Sequence, residues 1–188
     1  MSIAGQTIAA LVTDGFEQVE LTGPMKALRE AGATVMVVSP KSGEIQGMNH
    51  DQKADRIRVD KQLSGARPEA FDALLLPGGV ANPDYLRVDP EAVAFVEHFV
   101  TTKKPIAAIC HGPWSLIEAD GVKGRRVTSW PSLRTDLSNA GATWLDEAVV
   151  RDGSLVTSRK PDDIPAFARA FVALLEETGR QEAPRRAS

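Results

Sequence analysis

Short apolar runs with no polar alternation recur along this chain, at residues 7–13 (TIAALVT), 72–76 and 105–109. A strand is apolar at every position only when both of its faces are covered, which sets these runs in the interior of a parallel sheet. Helical spacing fills the intervals. Leu21, Met25 and Leu28 recur at i, i+4, i+7 before Gly32, with Pro24 expected in an early turn or at a kink. Val93, Val96, Phe99 and Val100 mark a helix over 91–102, and Ile164, Phe167, Ala168, Phe171, Val172 and Leu175 mark a final one from about 161 to 177. A further strand is expected at 34–39, a polar hairpin excursion at 41–63, a helix near 132–140, and β segments at 143–144 and 148–158 with a turn at Asp152-Gly153. Strands alternating with amphipathic helices predict an α/β fold, a mostly parallel sheet with helices on both faces. The expected organisation is one domain over residues 1–178 and a polar, frayed tail over 179–188.

At 188 residues the chain is long enough to bury a substantial core without disulfides or metals. A net charge of −3 argues against nucleic acid as the main partner. No stretch is apolar for long enough to span a bilayer, and the first residues lack the basic and apolar parts of a signal peptide. One cysteine forms no internal disulfide, so a reducing cytoplasm is the expected location. No cofactor is expected. Nor is a metal: His50, His98 and His111 show no paired spacing, and the first two are expected to face solvent.

That single cysteine, Cys110, ends the run at 105–109 and is followed by His111-Gly112-Pro113. The pattern predicts a buried strand stopping on a thiol where a tight turn opens a helix, like the nucleophile elbow of hydrolases. A helix N-terminus and a neighbouring histidine both favour thiolate, which predicts a pKa lowered from about 8.5 towards roughly 3.5–7.5. Pro77-Gly78-Gly79 closes another buried run; glycine lets its backbone approach a ligand, and its N–H groups with that of His111 are suited to an oxyanion. Ligands of such folds bind beyond the carboxyl ends of the strands, where the segment 14–17, Gly78-Gly79 and Cys110-His111 meet if their strands are neighbours. Glu17 and Glu20 open the first helix, as dipole-favoured charges commonly do. Glu17 lies on the side expected to hold Cys110, where a protonated carboxyl would donate to a thiolate; Glu20 reads as an ordinary helix-start charge. Asp14, Thr22 and Trp114 read as packing or rim residues.

Phe16-Glu17-Gln18-Val19-Glu20-Leu21, Leu76-Pro77-Gly78-Gly79, Ala108-Ile109-Cys110-His111-Gly112-Pro113 and Thr157-Ser158-Arg159-Lys160-Pro161-Asp162-Asp163 together resemble the PfpI-type intracellular protease and protein deglycase family, of the class I glutamine-amidotransferase-like superfamily. The resemblance covers about residues 7 to 175. It implies a flavodoxin-like sandwich, a homodimer or larger homo-oligomer, Cys110 as nucleophile, Glu17 as the carboxyl bonded to it, and the amides of Gly79 and His111 as the oxyanion hole. Protease-like members complete a Cys-His-acid triad across a subunit interface with a glutamate after Pro-Gly-Gly. Asp84 stands there in this chain, one methylene shorter, and reads equally as that acid or as the cap of a short helix starting at Asn82-Pro83. Arg159 reads as a mouth cation for carboxylate-bearing substrates or as a surface partner of Asp162 or Asp163. Glutamine amidotransferases use a histidine far downstream of the nucleophile. None follows His111 here, so glutamine hydrolysis is not expected.

The reading that results is a cysteine-dependent stress-response hydrolase acting on glyoxals, glycated amino groups or small peptides, with His111 moving the proton. The alternative is a redox-sensing stress protein or chaperone that uses an oxidisable Cys110 with little turnover.

Overall fold

The computed structural model describes residues 3–182. In chain order the elements are β1 (Thr7–Leu11), β2 (Phe16–Glu17), α1 (Gln18–Glu30), β3 (Thr34–Ser39), β4 (Glu44–Asn49), β5 (Gln52–Arg58), β6 (Lys61–Gln62), β7 (Ala73–Leu76), α2 (Ala81–Arg87), α3 (Pro90–Thr101), β8 (Ile106–Ile109), α4 (Trp114–Glu118), β9 (Arg126–Val127), α5 (Arg134–Asn139), β10 (Thr143–Trp144), β11 (Val149–Asp152), β12 (Leu155–Ser158) and α6 (Ile164–Glu182). The main sheet has seven strands in the order β11-β12-β8-β7-β1-β3-β6. All of its neighbours pair in parallel except β11 with β12. The excursion is the antiparallel β4/β5 hairpin, joined to β2 in a separate small sheet.

The strand period of two sorts the apolar runs into two cores. Ile8, Ala10, Val35, Val37, Leu75, Ala107 and Ile109 face Leu21, Met25 and Leu28 of α1 and Phe167 and Phe171 of α6. Their neighbours Ala9, Leu11, Leu74, Leu76 and Ala108 face Phe95, Val96 and Phe99 of α3, Leu116 of α4 and Leu137 of α5. Burial on both faces is why these strands carry no polar alternation. The α/β architecture with helices on both faces is as the sequence predicts. Because β1, β7 and β8 are adjacent, their carboxyl ends open side by side, and the loops carrying Gly15, Gly78 and Cys110 converge.

Three local expectations are corrected. Pro24 lies midway along α1 rather than in an early turn, and is buried there. Residues 179–182 continue α6 rather than opening a tail, while 183–188 lie outside the described residues. His98 is half-buried on α3, its ring edge-on to Phe99 at 5.7 Å and its Nε2 covered without a partner. No helix among the described residues is long and apolar enough to cross a membrane.

Phe99 is fully buried and packs against Phe95 with ring centroids 5.4 Å apart. Phe99→Ala is expected to lower the unfolding free energy by about 3–5 kcal/mol, from lost transfer energy plus a cavity. Urea denaturation read by circular dichroism measures it.

Candidate active site

β8 ends on Ile109, and the next residue bends away from the sheet. The Cys110 amide still continues the ladder, donating to the Ser158 carbonyl at 3.1 Å. Its φ is 62°, a left-handed conformation that costs a non-glycine residue on the order of 1–3 kcal/mol. Surrounding bonds hold it there: Gly112 N–H donates to the Ile109 carbonyl, and Trp130 N–H donates to the Cys110 carbonyl, both at 2.9 Å. The thiol therefore leaves the strand end pointing across the neighbouring β7 loop, where it is 7% exposed.

The carboxyl that meets this thiol is that of Glu20, not Glu17. Glu20 is fully buried, and its Oε2 accepts from Gly78 N–H at 2.9 Å. A Cβ on Gly78 would stand 2.5 Å from that oxygen and 2.6 Å from Cys110 Cβ, so the three residues converge on a point that admits no side chain. The carboxyl is in electrostatic contact with the Cys110 sulfur, while Oε1 makes no well-formed hydrogen bond. Glu17 turns the other way: β2 pairs with β4, and Glu17 Oε2 accepts from the His50 amide at 3.0 Å. A signal for Glu20 was present in the sequence, since it shares a helix face with Pro24 and Leu28 at four-residue spacing, and both are buried. Gly78 is corrected too. Its N–H is committed to Glu20, which leaves the amides of Gly79 and His111 as the donors that face the sulfur. Gly79 supplies that amide from a backbone at φ 76°, a region open to glycine at no steric cost.

His111 Nδ1 lies 3.2 Å from Cys110 Sγ, and Nε2 lies 3.3 Å from Ser132 Oγ. The imidazole sits between Trp114, edge-on at 5.3 Å, and Trp130, stacked at 6.1 Å, so Trp114 is part of the site and not merely packing. Burial pushes the His111 pKa down to about 4, which makes the ring neutral at pH 7. The expectation of a thiol lowered by a helix dipole and a histidine cation is therefore not met. α4 is five residues long, His111 carries no charge, and burial together with the negative charge of an ionised Glu20 raises the Cys110 pKa. The Gly79 and His111 amides oppose that shift. Glu20 is itself raised to about 8, chiefly by burial. Near neutral pH the carboxyl thus holds its proton, removing its repulsion of a thiolate and offering an O–H to the sulfur.

Asp84 is exposed in the first turn of α2 and makes no hydrogen bond or ion pair among the described residues. It is not a helix cap: α2 has Val80 at its N-cap and no side-chain cap bond. Arg159 is not a free mouth cation. Its guanidinium donates to Asp163 at 2.9 and 3.2 Å and to Asp146 at 2.8 Å, while Asp162 pairs with Lys160. Asn82, read in the sequence only as a helix start, is a buried clamp. Its Oδ1 accepts from Thr13 N–H at 2.8 Å, and its Nδ2 donates to the carbonyls of Pro77 and Gly78 at 3.0 and 3.1 Å. One side chain thereby ties the loop after β1 to the loop after β7.

The raised Glu20 pKa has a signed consequence for stability. Glu20 ionises at an ordinary 4.5 when unfolded and at about 8 when folded, so over that interval only the folded state holds the proton. Its contribution is complete below pH 4.5 and is lost as pH rises through about 8. Thermal melts of wild type and Glu20→Gln across that range should show wild type losing stability with rising pH relative to the variant, which has no carboxyl to ionise.

Comparison with known proteins identifies the family. The model of the DJ-1/PfpI family matches residues 6–174. A Bacillus subtilis (strain 168) protein named as a candidate cysteine protease, YraA, is 46% identical over 169 residues, covering 90% of this chain and 98% of its own length. The Escherichia coli (strain K12) protein named protein/nucleic acid deglycase 2 is 45% identical over 170 residues, covering 89% of this chain and 96% of its own. Among solved structures, a two-domain Anabaena variabilis protein with DJ-1/ThiJ/PfpI-like and ferritin-like domains superposes with a TM-score of 0.84 at 35% identity; the match covers 91% of this chain and 48% of that larger one. An elbow cysteine flanked by a histidine and a buried glutamate, on a fold and sequence matched this fully, places the chain in the DJ-1/PfpI family.

Proposed function

We propose that this protein is a cysteine-dependent hydrolase of the deglycase kind, acting on glyoxals and on their early adducts with amino groups. The observation that carries the reading is the Cys110 thiol, held on a left-handed elbow 3.2 Å from His111 Nδ1, with two backbone amides and the Glu20 carboxyl around the sulfur. The names of the relatives, one a deglycase and one a candidate cysteine protease, support the same chemistry.

In the first step the sulfur bonds to the carbonyl carbon of the substrate and the π pair moves onto oxygen. The thiol proton passes to His111 Nδ1, which is free to accept it because the ring is neutral. The Gly79 and His111 amides receive the negative charge until Nδ1 returns the proton to that oxygen. With a glyoxal the product is a hemithioacetal on Cys110; with a peptide amide the same attack begins acyl transfer. A second reading, a redox sensor with little turnover, draws support from the protonated Glu20, whose O–H would hold an oxidised sulfur.

Incubating the protein with methylglyoxal, a methylglyoxal-treated peptide and casein, beside Cys110→Ser, tests the assignment. Turnover of the glyoxal and the peptide adduct is expected, with a loss on the order of 100-fold or more in the variant. Full activity in Cys110→Ser refutes it. Peroxide-driven mass gain at Cys110 without turnover of any substrate favours the sensor instead. A cytoplasmic location is part of the same proposal, resting on the single cysteine.

The proposal extends to assembly. Val80, Tyr85 and Val88 are 60%, 58% and 76% exposed on α2 and its flanks, around Asp84 and beside the Gly79 loop. Apolar side chains so concentrated suit a contact between copies. Light scattering should report a dimer or larger particle, and Val88→Glu should shift it towards monomer.

A further inference from the structure

We propose that Ser132 is the positioning residue for His111, a neutral hydroxyl in the place where cysteine and serine triads put a carboxylate. The proposal rests on the hydrolase reading above.

His111 has both ring nitrogens engaged inside one chain, Nδ1 at Cys110 Sγ (3.2 Å) and Nε2 at Ser132 Oγ (3.3 Å). No carboxylate bonds the ring among the described residues. Ser132 is held in register with the nucleophile by a short frame. Trp130 N–H donates to the Cys110 carbonyl at 2.9 Å, Leu133 N–H donates to the Trp130 carbonyl at 3.1 Å, and the Leu133 side chain is fully buried. Pro131 fixes the single 3-10 turn between them. The same frame lays Trp130 along one side of the imidazole. Ring tilt and Nε2 partner are thus both set by residues 130–133.

A carboxylate only accepts hydrogen bonds, whereas a hydroxyl donates and accepts. When Cys110 is a thiol, Nδ1 must be bare to take its proton, so Nε2 carries the hydrogen and Ser132 Oγ accepts it. When the sulfur is already ionised, Nδ1–H donates to it and the Ser132 O–H turns to donate to Nε2. The hydroxyl follows the ring through both tautomers and through the imidazolium between them, with no net gain or loss of its own proton. It also adds no negative charge, consistent with a ring that stays neutral at pH 7. An aspartate on Nε2 would stabilise the imidazolium and displace Ser132.

Ser132 is exposed on a one-turn segment, so Ser132→Ala and Ser132→Thr should both fold. With methylglyoxal as substrate, Ser132→Ala is expected to lose about tenfold in kcat with KM unchanged, as orientation of a proton-transfer group requires. Ser132→Thr, which keeps Oγ, should recover most of it, and Asp84→Asn should leave kcat at the wild-type value. Independently of turnover, the imidazole 15N resonances of His111, assigned by their absence in His111→Gln, should shift in Ser132→Ala and return in Ser132→Thr. Wild-type kcat in Ser132→Ala, a change confined to KM, or a loss that threonine does not repair would each overturn the proposal. So would a dominant loss in Asp84→Asn. If Cys110→Ser keeps full turnover, the hydrolase reading falls by itself, and unmoved His111 resonances in Ser132→Ala then dispose of Ser132 separately.

Discussion

Everything at this site is organised by the contact at Gly78, where a strand loop, the Glu20 carboxyl and the Cys110 thiol come too close for any side chain to intervene. The Gly78 amide holds Glu20, the Glu20 carboxyl meets the Cys110 sulfur, and the space a Cβ would take is already filled by Oε2 and Cys110 Cβ. Three elements distant in sequence, β7, β8 and α1, are fastened there at atomic contact. The parallel order β8-β7-β1 delivers them, and the two apolar cores on either side of the sheet keep those strands in register.

That closeness determines the electrostatics. Water is excluded, so each ionisable group in the site is pushed towards its neutral form: the carboxyl up, the thiol up, the imidazole down. A site built this way does not wait with a stable thiolate–imidazolium pair. It keeps its protons on neighbouring groups, beside backbone amides already aimed at the sulfur.

Much of this was legible in the residues, and the failures share a cause. Runs such as 7–13 and 105–109 announced covered strands, and Cys110 before His111-Gly112 announced the elbow. These are properties of contiguous sequence, where period and turn chemistry act. The choice between Glu17 and Glu20 was not contiguous. It depends on β2 pairing with β4, which turns Glu17 towards the His50 amide. The Arg159–Asp163 pair was one of the two readings the four-residue spacing allowed, but Asp146, thirteen residues upstream, was not legible, because its position follows from the way the chain returns to β11 and β12. The thiol was misjudged because a helix N-terminus can be read from sequence while its shortness, and the dryness around it, cannot. Ser132 and Asn82 gave no sign at all, since a serine or asparagine in a polar stretch looks the same whether it faces water, the His111 ring or two buried loops.

Asn82 has a consequence for the durability of the molecule. Its amide alone ties the loops after β1 and β7, so conversion to aspartate would exchange the donor that both carbonyls need for a charge buried beside them. Asparagine ordinarily deamidates when the nitrogen of the next residue attacks its side-chain carbonyl and loses its hydrogen in closing a ring. The next residue here is Pro83, whose nitrogen carries no hydrogen. The clamp that holds the Gly78-Gly79 loop is therefore closed to the commonest route of asparagine deamidation, the ring closure that needs a backbone N–H at the next residue.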